Sequence, residues 1–294
     1  MNKPLVTNLT LLLIAFIWGV GFVPQRIGMD FMGPAAFNAL RFALGAVTLV
    51  PLLVVHKSVS LQAMLCRPTL GLGVVLGALL FGGALFQQFS LQYTSLANVA
   101  FITGLYVILV PLIGFFIGYK YRVIVWIGGL IGITGLYLMT GTSTELALQG
   151  DLLALVGAVF WAMHLLVLAK KSGNHNQLVL AFYQFIVCAI FSVVVALVSE
   201  DHLLPYVAEG YLWAVLNGVL VVGGGYTLQV LVMEHAEPFV ASLILALEAV
   251  FGALAGYLVF SEQLGKAALL GAVMMLLGCV LAQLPGTSSA VKTR

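Results

Sequence analysis

Leu9–Val23 reads LTLLLIAFIWGVGFV, and an offset of 143 residues brings Leu152–Leu166, LLALVGAVFWAMHLL, into register with it, so that Trp18 falls on Trp161. Neither segment carries an Asp, Glu, Lys or Arg. Each is apolar all the way round, the pattern of a helix whose surroundings are lipid or other apolar helices. Together they predict a membrane fold and an internal duplication. Lys3 ahead of the first segment gives it the outline of a secretion signal. Further apolar spans follow and no small-residue cleavage site is evident, so the segment reads as the first transmembrane helix.

The remaining composition agrees on the solvent. Of 294 residues, 62% are hydrophobic and 7% charged, with a mean hydropathy of +1.15, against about 25% charged in soluble domains. So few charges could not keep a surface of this size solvated in water. The net charge is +2 and no basic cluster is longer than Lys170-Lys171, so the positive surface that nucleic acid requires is not expected. Cys66, Cys188 and Cys279 lie far apart, the last two inside apolar runs, and imply neither a disulfide framework nor a metal site. There is no G-x-x-x-x-G-K-[ST] loop, no H-E-x-x-H and no soluble stretch large enough for a nucleotide domain. Transport driven by ATP hydrolysis on this chain is excluded, and no cofactor is expected.

A crossing helix takes about 20 mostly apolar residues, because the hydrocarbon layer is roughly 30 Å thick and each residue rises 1.5 Å. With Pro, Gly and charges as punctuation, ten spans emerge, near 6–23, 34–55, 70–91, 95–118, 123–141, 151–169, 178–198, 211–233, 238–260 and 266–284. The division at Gln92-Tyr93-Thr94-Ser95 has no charge to mark it; without it the count is nine and the second half inverts. Lys and Arg concentrate on cytoplasmic loops. Ten spans with an internal N-terminus put Lys3, Lys57, Arg67, Lys120, Arg122, Lys170, Lys171, Lys292 and Arg294 in the cytosol and only Arg26 and Lys266 outside. The outer loops also collect Asp30, Glu145, Asp151, Glu200, Asp201, Glu209 and Glu262. The expectation is an all-α, multi-pass protein of the cytoplasmic (inner) membrane with both termini cytosolic.

The same offset that joins the tryptophans pairs Leu9 with Leu152, Ala15 with Ala158, Phe42 with Phe185, Gly82 with Gly225, Gly128 with Gly271 and Gly135 with Gly278. Residues 1–143 and 144–294 therefore read as two five-helix repeats. Five is odd, so the second copy enters the membrane inverted. Inverted halves can exchange conformations and open a central site to one side and then the other.

Phe16-Ile17-Trp18-Gly19, Leu40-Arg41-Phe42, the run Leu91-Gln92-Tyr93-Thr94-Ser95-Leu96-Ala97-Asn98, Pro111 in the fourth span and Phe260-Ser261-Glu262-Gln263-Leu264 before a Gly-rich tenth span stand in a characteristic order. In these segments the chain resembles the drug/metabolite transporter superfamily, specifically its EamA-type ten-helix proteins, over essentially its whole length. The resemblance implies helices 1, 3, 4, 6, 8 and 9 around a central cavity, helices 5 and 10 at the periphery, and secondary transport, often export of metabolites or amino acids. The chain departs from the pattern twice. Tyr119-Lys120 replaces an acidic residue after the fourth helix, which undercuts any argument from symmetric acidic gates, and Leu254 replaces the proline equivalent to Pro111.

Polar residues inside the spans are the candidate site. Glu248 lies ten residues after Pro238 and twelve before Phe260, about 15 Å from either end of its helix. A carboxylate there needs a partner, a hydrated cavity or a proton; it is the leading candidate for proton coupling or for recognising a cationic group, against a protonated structural carboxyl as the bland alternative. Trp161 and His164 share one face of the sixth span. His164 reads equally as a titrating group and as a neutral interhelical hydrogen-bond partner. Trp18 combines packing with cavity lining. Arg41, seven residues beyond Pro34, reads as a structural anchor snorkelling to the outer interface, in a stripe with Asn38, Gly45 and Thr48 that suits helix packing. In the eighth span Asn217, Val221, Gly225 and Gln229 recur every four residues around Gly223-Gly224-Gly225; such a triplet serves close contact more often than a hinge. Gln87 and Gln88, after Gly82-Gly83, and Asn98 and Tyr106 complete the candidate pathway.

The function expected is secondary transport of a small polar or amphipathic metabolite, amino-acid-like or related, with outward movement favoured. An importer or multidrug-type exporter is the nearest alternative; a non-transporting scaffold, or an intramembrane enzyme with Glu248 and His164 as acid and base, is the different class. The partners expected are the solute, the bilayer and a coupled proton, and a homodimer stays open.

Overall fold

The computed structural model describes residues 3–57, 59–94, 96–140, 148–204, 208–261 and 265–282. Glu145, Glu262, Lys292, Arg294, the side chain of Asn98 and the division after residue 143 lie outside the described residues.

Every regular element among the described residues is a helix, and ten apolar helical spans follow one another: α1 Lys3–Gly28, α2 Pro34–Val55, α3 Arg67–Ser90, α4 in two pieces, Leu96–Gly104 and Tyr106–Phe116, α5 Val123–Thr140, α6 Leu148–Lys171, α7 Gln177–Ser199, α8 Ala208–Met233, α9 Pro238–Leu245 continued as Glu248–Phe260, and α10 Lys266–Ala282. Eight are long and apolar enough to cross a membrane; α5 and α10 are apolar but shorter. The 17 residues of α10 rise about 26 Å, at the lower end of the spanning range. Large apolar side chains such as Phe116, Val198 and Leu258 point away from the bundle, as a lipid-facing surface requires. Most boundaries shift by up to three residues, and the largest shift is at Pro24, which was expected to end the first helix but sits inside α1, which continues to Gly28. Neighbouring helices can satisfy the carbonyl that a mid-helix proline leaves unpaired.

Helix starts are fixed by proline and by carboxylate or amide caps. Pro34 opens α2, whose Ala35 and Ala36 N–H groups donate to the Glu200 carboxylate at the end of α7, at 2.7 and 3.0 Å. The start of α7 is capped locally, Val179 N–H donating to Asn176 Oδ1 at 3.2 Å.

The glycines of α5 and α10 set the relation between the halves. A methyl group on Gly128 would meet the Gly278 carbonyl oxygen at 2.9 Å, and one on Gly135 the Gly271 carbonyl oxygen at 2.5 Å. As one residue number rises the other falls, so the two helices run antiparallel, and each glycine faces the repeat equivalent of the other. That is a two-fold relation between inverted copies. The remaining packing obeys it: α3 lies on α6 as α8 lies on α1, α3 on α7 as α8 on α2, and α4 on α6 as α9 on α1. Phe42 and Phe185, equivalents of one another, meet with ring centroids 6.3 Å apart.

Candidate functional site

Two helices are interrupted at equivalent depths. In α4, Leu105 N–H donates to the Ile102 carbonyl at 3.1 Å, and in α9 Leu247 N–H donates to that of Ile244 at 3.1 Å. These three-residue spacings tighten the helix locally, as mid-helix segments at moving sites often do. The α9 break occurs without a counterpart of Pro111, so the proline is not what causes it. Under the 143-residue offset Glu248, the first residue of the second α9 segment, corresponds to Leu105.

A third irregularity lies in α8, where Asn217–Tyr226 is wound as a π-helix. Its glycines bring neighbours very close. A methyl group on Gly225 would lie 2.5 Å from Trp18 Nε1, just as one on Gly83 of α3 would lie 2.8 Å from the Trp161 indole. Each tryptophan therefore sits against a glycine of a neighbouring helix, the two contacts one residue out of repeat register because Gly225 corresponds to Gly82 and Gly83 to Tyr226, and Tyr226 joins them, stacked on Trp161 (5.9 Å, 11°) and tilted against Trp18 (4.7 Å, 41°). Gly223 and Gly225 of the triplet thus serve close contact, with Thr48 and Trp18, whereas Gly224 has only ordinary clearance.

These devices enclose a cavity of about 40 Å³ at the junction of the two halves. From the first repeat come Trp18, Phe22 and Gln25 of α1, Arg41 of α2, Gln87 of α3, and Thr103 and Tyr106 of α4. The second supplies Trp161 and Leu165 of α6, Val221, Tyr226 and Gln229 of α8, and Leu245 and Glu248 of α9. Four polar atoms of this lining, Trp18 Nε1, Tyr106 OH, Trp161 Nε1 and Gln229 Oε1, are buried with no hydrogen-bond partner among the described residues. Gln87 Nε2 donates to Thr103 Oγ1 at 3.4 Å.

Beside the cavity lies a polar cluster built on Arg41. Its Nε donates to Asn38 Oδ1 (2.8 Å) and its Nη1 to Gln25 Oε1 (3.2 Å) and Asn217 Oδ1 (3.3 Å). Asn217 Nδ2 continues to the Gly21 carbonyl at 3.1 Å, and Gln25 Nε2 donates to Gln88 Oε1. The guanidinium also lies 4.9 Å from the centre of the Phe42 ring.

The EamA-like transporter family model matches the chain twice, over residues 5–141 and 148–284. The chain belongs to the EamA-like transporter family. An uncharacterized transporter of Archaeoglobus fulgidus is 30% identical over 96% of this chain and 87% of its own length. The uncharacterized transporter YoaV of Bacillus subtilis is 25% identical over 90% of this chain and 92% of its own. A solved crystal structure superposes with a TM-score of 0.82 at 19% identity, covering 95% of this chain and 98% of that one, and shows a shared fold. The EamA-like assignment and the ten apolar helices make this a multi-pass membrane protein, and α5 and α10 pair with one another away from the cavity.

Within this EamA-like bundle six of the ten pathway residues read from sequence line the cavity: Trp18, Gln87, Tyr106, Trp161, Gln229 and Glu248. Three others are buried but do not line it. Gln88 bonds to Gln25 and Met29, Asn217 to Arg41, and His164, through Nε2, to Gln184 Oε1 at 3.0 Å. Glu248 and His164, the acid–base pair an intramembrane enzyme would use, do not share the cavity. The reading of Arg41 as a snorkelling anchor is corrected: the residue is 2% exposed and lines the cavity. Arg41 is only seven residues from Pro34 along α2, but α1 and α8 cover the side chain before it can reach an interface. Gln25, Thr103 and Tyr226 were not anticipated. Gln25 lay beyond the presumed end of the first helix, and Tyr226 carried one usable signal, its place three residues before Gln229 on the same helix.

Proposed function

We propose that this EamA-like transporter moves a small polar or amphipathic metabolite by alternating access through the cavity between its repeats, outward across the cytoplasmic membrane with both termini in the cytosol. The observation that carries the reading is the set of four buried, unpartnered polar atoms carried by residues that line one cavity from both halves. Buried polar groups are ordinarily hydrogen-bonded, and a solute or water held between the repeats would supply what the chain does not. At about 40 Å³ the space suits roughly three water molecules at 10–15 Å³ each, so a metabolite enters only as the helices part. The equivalent breaks in α4 and α9 and the π-wound turn of α8 are the segments best suited to yield. Trp18, Tyr106, Trp161 and Gln229 form the recognising wall, and Glu248 responds to a proton or to a cationic group on the solute.

Counterflow in proteoliposomes, with a panel of amino acids and small organic acids, tests this. Saturable uptake against a preloaded solute is expected, with the solute chemically unchanged. A chain that accelerates no solute overturns the transport reading. Glu248→Gln is expected to flatten the pH profile of flux or to weaken solute-driven exchange; an unaltered rate and profile would remove Glu248 from the mechanism.

A further inference from the structure

We propose that Arg41 is an anion subsite: the solute carries a compact negative group, a carboxylate or one of similar size, that docks on the Arg41 guanidinium. The proposal rests on the cavity being the solute site, as argued above, and names the chemistry that site selects.

Arg41 lines the cavity and is otherwise enclosed. Its hydrogen bonds go to three side-chain amides, Asn38, Gln25 and Asn217, all neutral and all reached through Nε and Nη1. The Nη2 amino group has no acceptor among the described residues, and no carboxylate of those residues stands within ion-pair distance of the guanidinium. Glu248 lines the same cavity without pairing with it. A guanidinium in a membrane-buried bundle is costly unless an opposite charge compensates it, and the amides orient it without doing so. The residue is always charged and presents a planar fork suited to a carboxylate.

A neutral side chain can fill this place in the fold. At the repeat-equivalent position stands Gln184, fully buried and bonded to His164, so the same place in the same five-helix unit is served by a neutral amide. What the first repeat adds at residue 41 is charge directed at the cavity. The unpartnered atoms on the other lining residues mostly agree in sign: Trp18 Nε1 and Trp161 Nε1 can only donate, Tyr106 OH can donate, and Gln229 Oε1 alone must accept. A cavity wall that combines a cation with mostly donor groups suits an acceptor-rich, anionic group.

The full chain in detergent or nanodiscs can be titrated with two isosteric pairs, acetate against acetamide and phenylacetate against phenylacetamide, following quenching of tryptophan fluorescence. In at least one pair the carboxylate is expected to bind about tenfold more tightly than its amide, the gain of a charge-assisted hydrogen bond over a neutral one. Arg41→Gln, which places in the first repeat what the second already carries, should erase that difference, and Arg41→Lys should retain part of it. If neither carboxylate outbinds its amide in the unmodified protein, a comparison that needs no variant, the subsite is wrong. A folded Arg41→Gln protein that keeps the preference overturns it equally. Carboxylate preference without counterflow of any solute would sink the transport reading and leave the subsite standing. Counterflow confined to solutes lacking an anionic group would do the reverse.

Discussion

At equivalent positions of the two repeats, Arg41 gathers Asn38, Gln25 and Asn217 around a guanidinium, while Gln184 makes a single contact to His164. The surrounding frames match, with Trp18 and Trp161 in glycine seats and Phe42 touching Phe185, but the polar contents do not. Gln25 corresponds to Leu168, Asn38 to Ala181, Asn217 to Val74 and Glu248 to Leu105. Backbone packing kept the symmetry of the duplication, because both halves must present interchangeable surfaces to one another. The side chains facing the centre differ between the halves, as the proposed recognition of an asymmetric solute would require.

The sharpest way to break this contrast is to truncate both members. Arg41→Ala strands three buried amide oxygens, and thermal or denaturant unfolding in detergent should show a loss of about 3 kcal/mol. Gln184→Ala removes one neutral bond and should cost about 1 kcal/mol. Equal losses would mean that the two clusters contribute alike and that the charge adds nothing to the first. A smaller effect tests the shared frame: Gly225→Val and Gly83→Val each push an indole out of its seat and should each cost about 2 kcal/mol, the usual range for overpacking. Marked inequality between them would show that the two seats are not mechanically equivalent. The smallest effect concerns the caps. Glu200→Ala frees the start of α2 and Asn176→Ala that of α7, each at about 1 kcal/mol. Lying at opposite ends of α7, they should add to within about 0.5 kcal/mol, and a clear excess would reveal coupling along that helix.

Six of the cavity-lining residues were legible in the sequence because a polar or Trp side chain in the middle of an apolar span has few uses beyond a cavity or a buried bond. Which of the two uses applied was not. Gln87 and Gln88 are adjacent, yet one lines the cavity and the other bonds to Gln25, a difference of helix rotation that no local pattern carries. Asn217 and Gln229 lie on one continuous span, and the π-helical turns between them shift their relative facing away from what four-residue steps imply.

The amino-acid sequence by itself determined the solvent, the ten spans and the duplication, because lipid demands a minimum apolar length and a repeat leaves its register in the order of residues. Only the tertiary structure decided what Arg41 is. A side chain's surroundings in a bundle come from helices distant in the chain, here α1 and α8, and their approach turned a residue near a helix end into a buried charge at the wall of the central cavity.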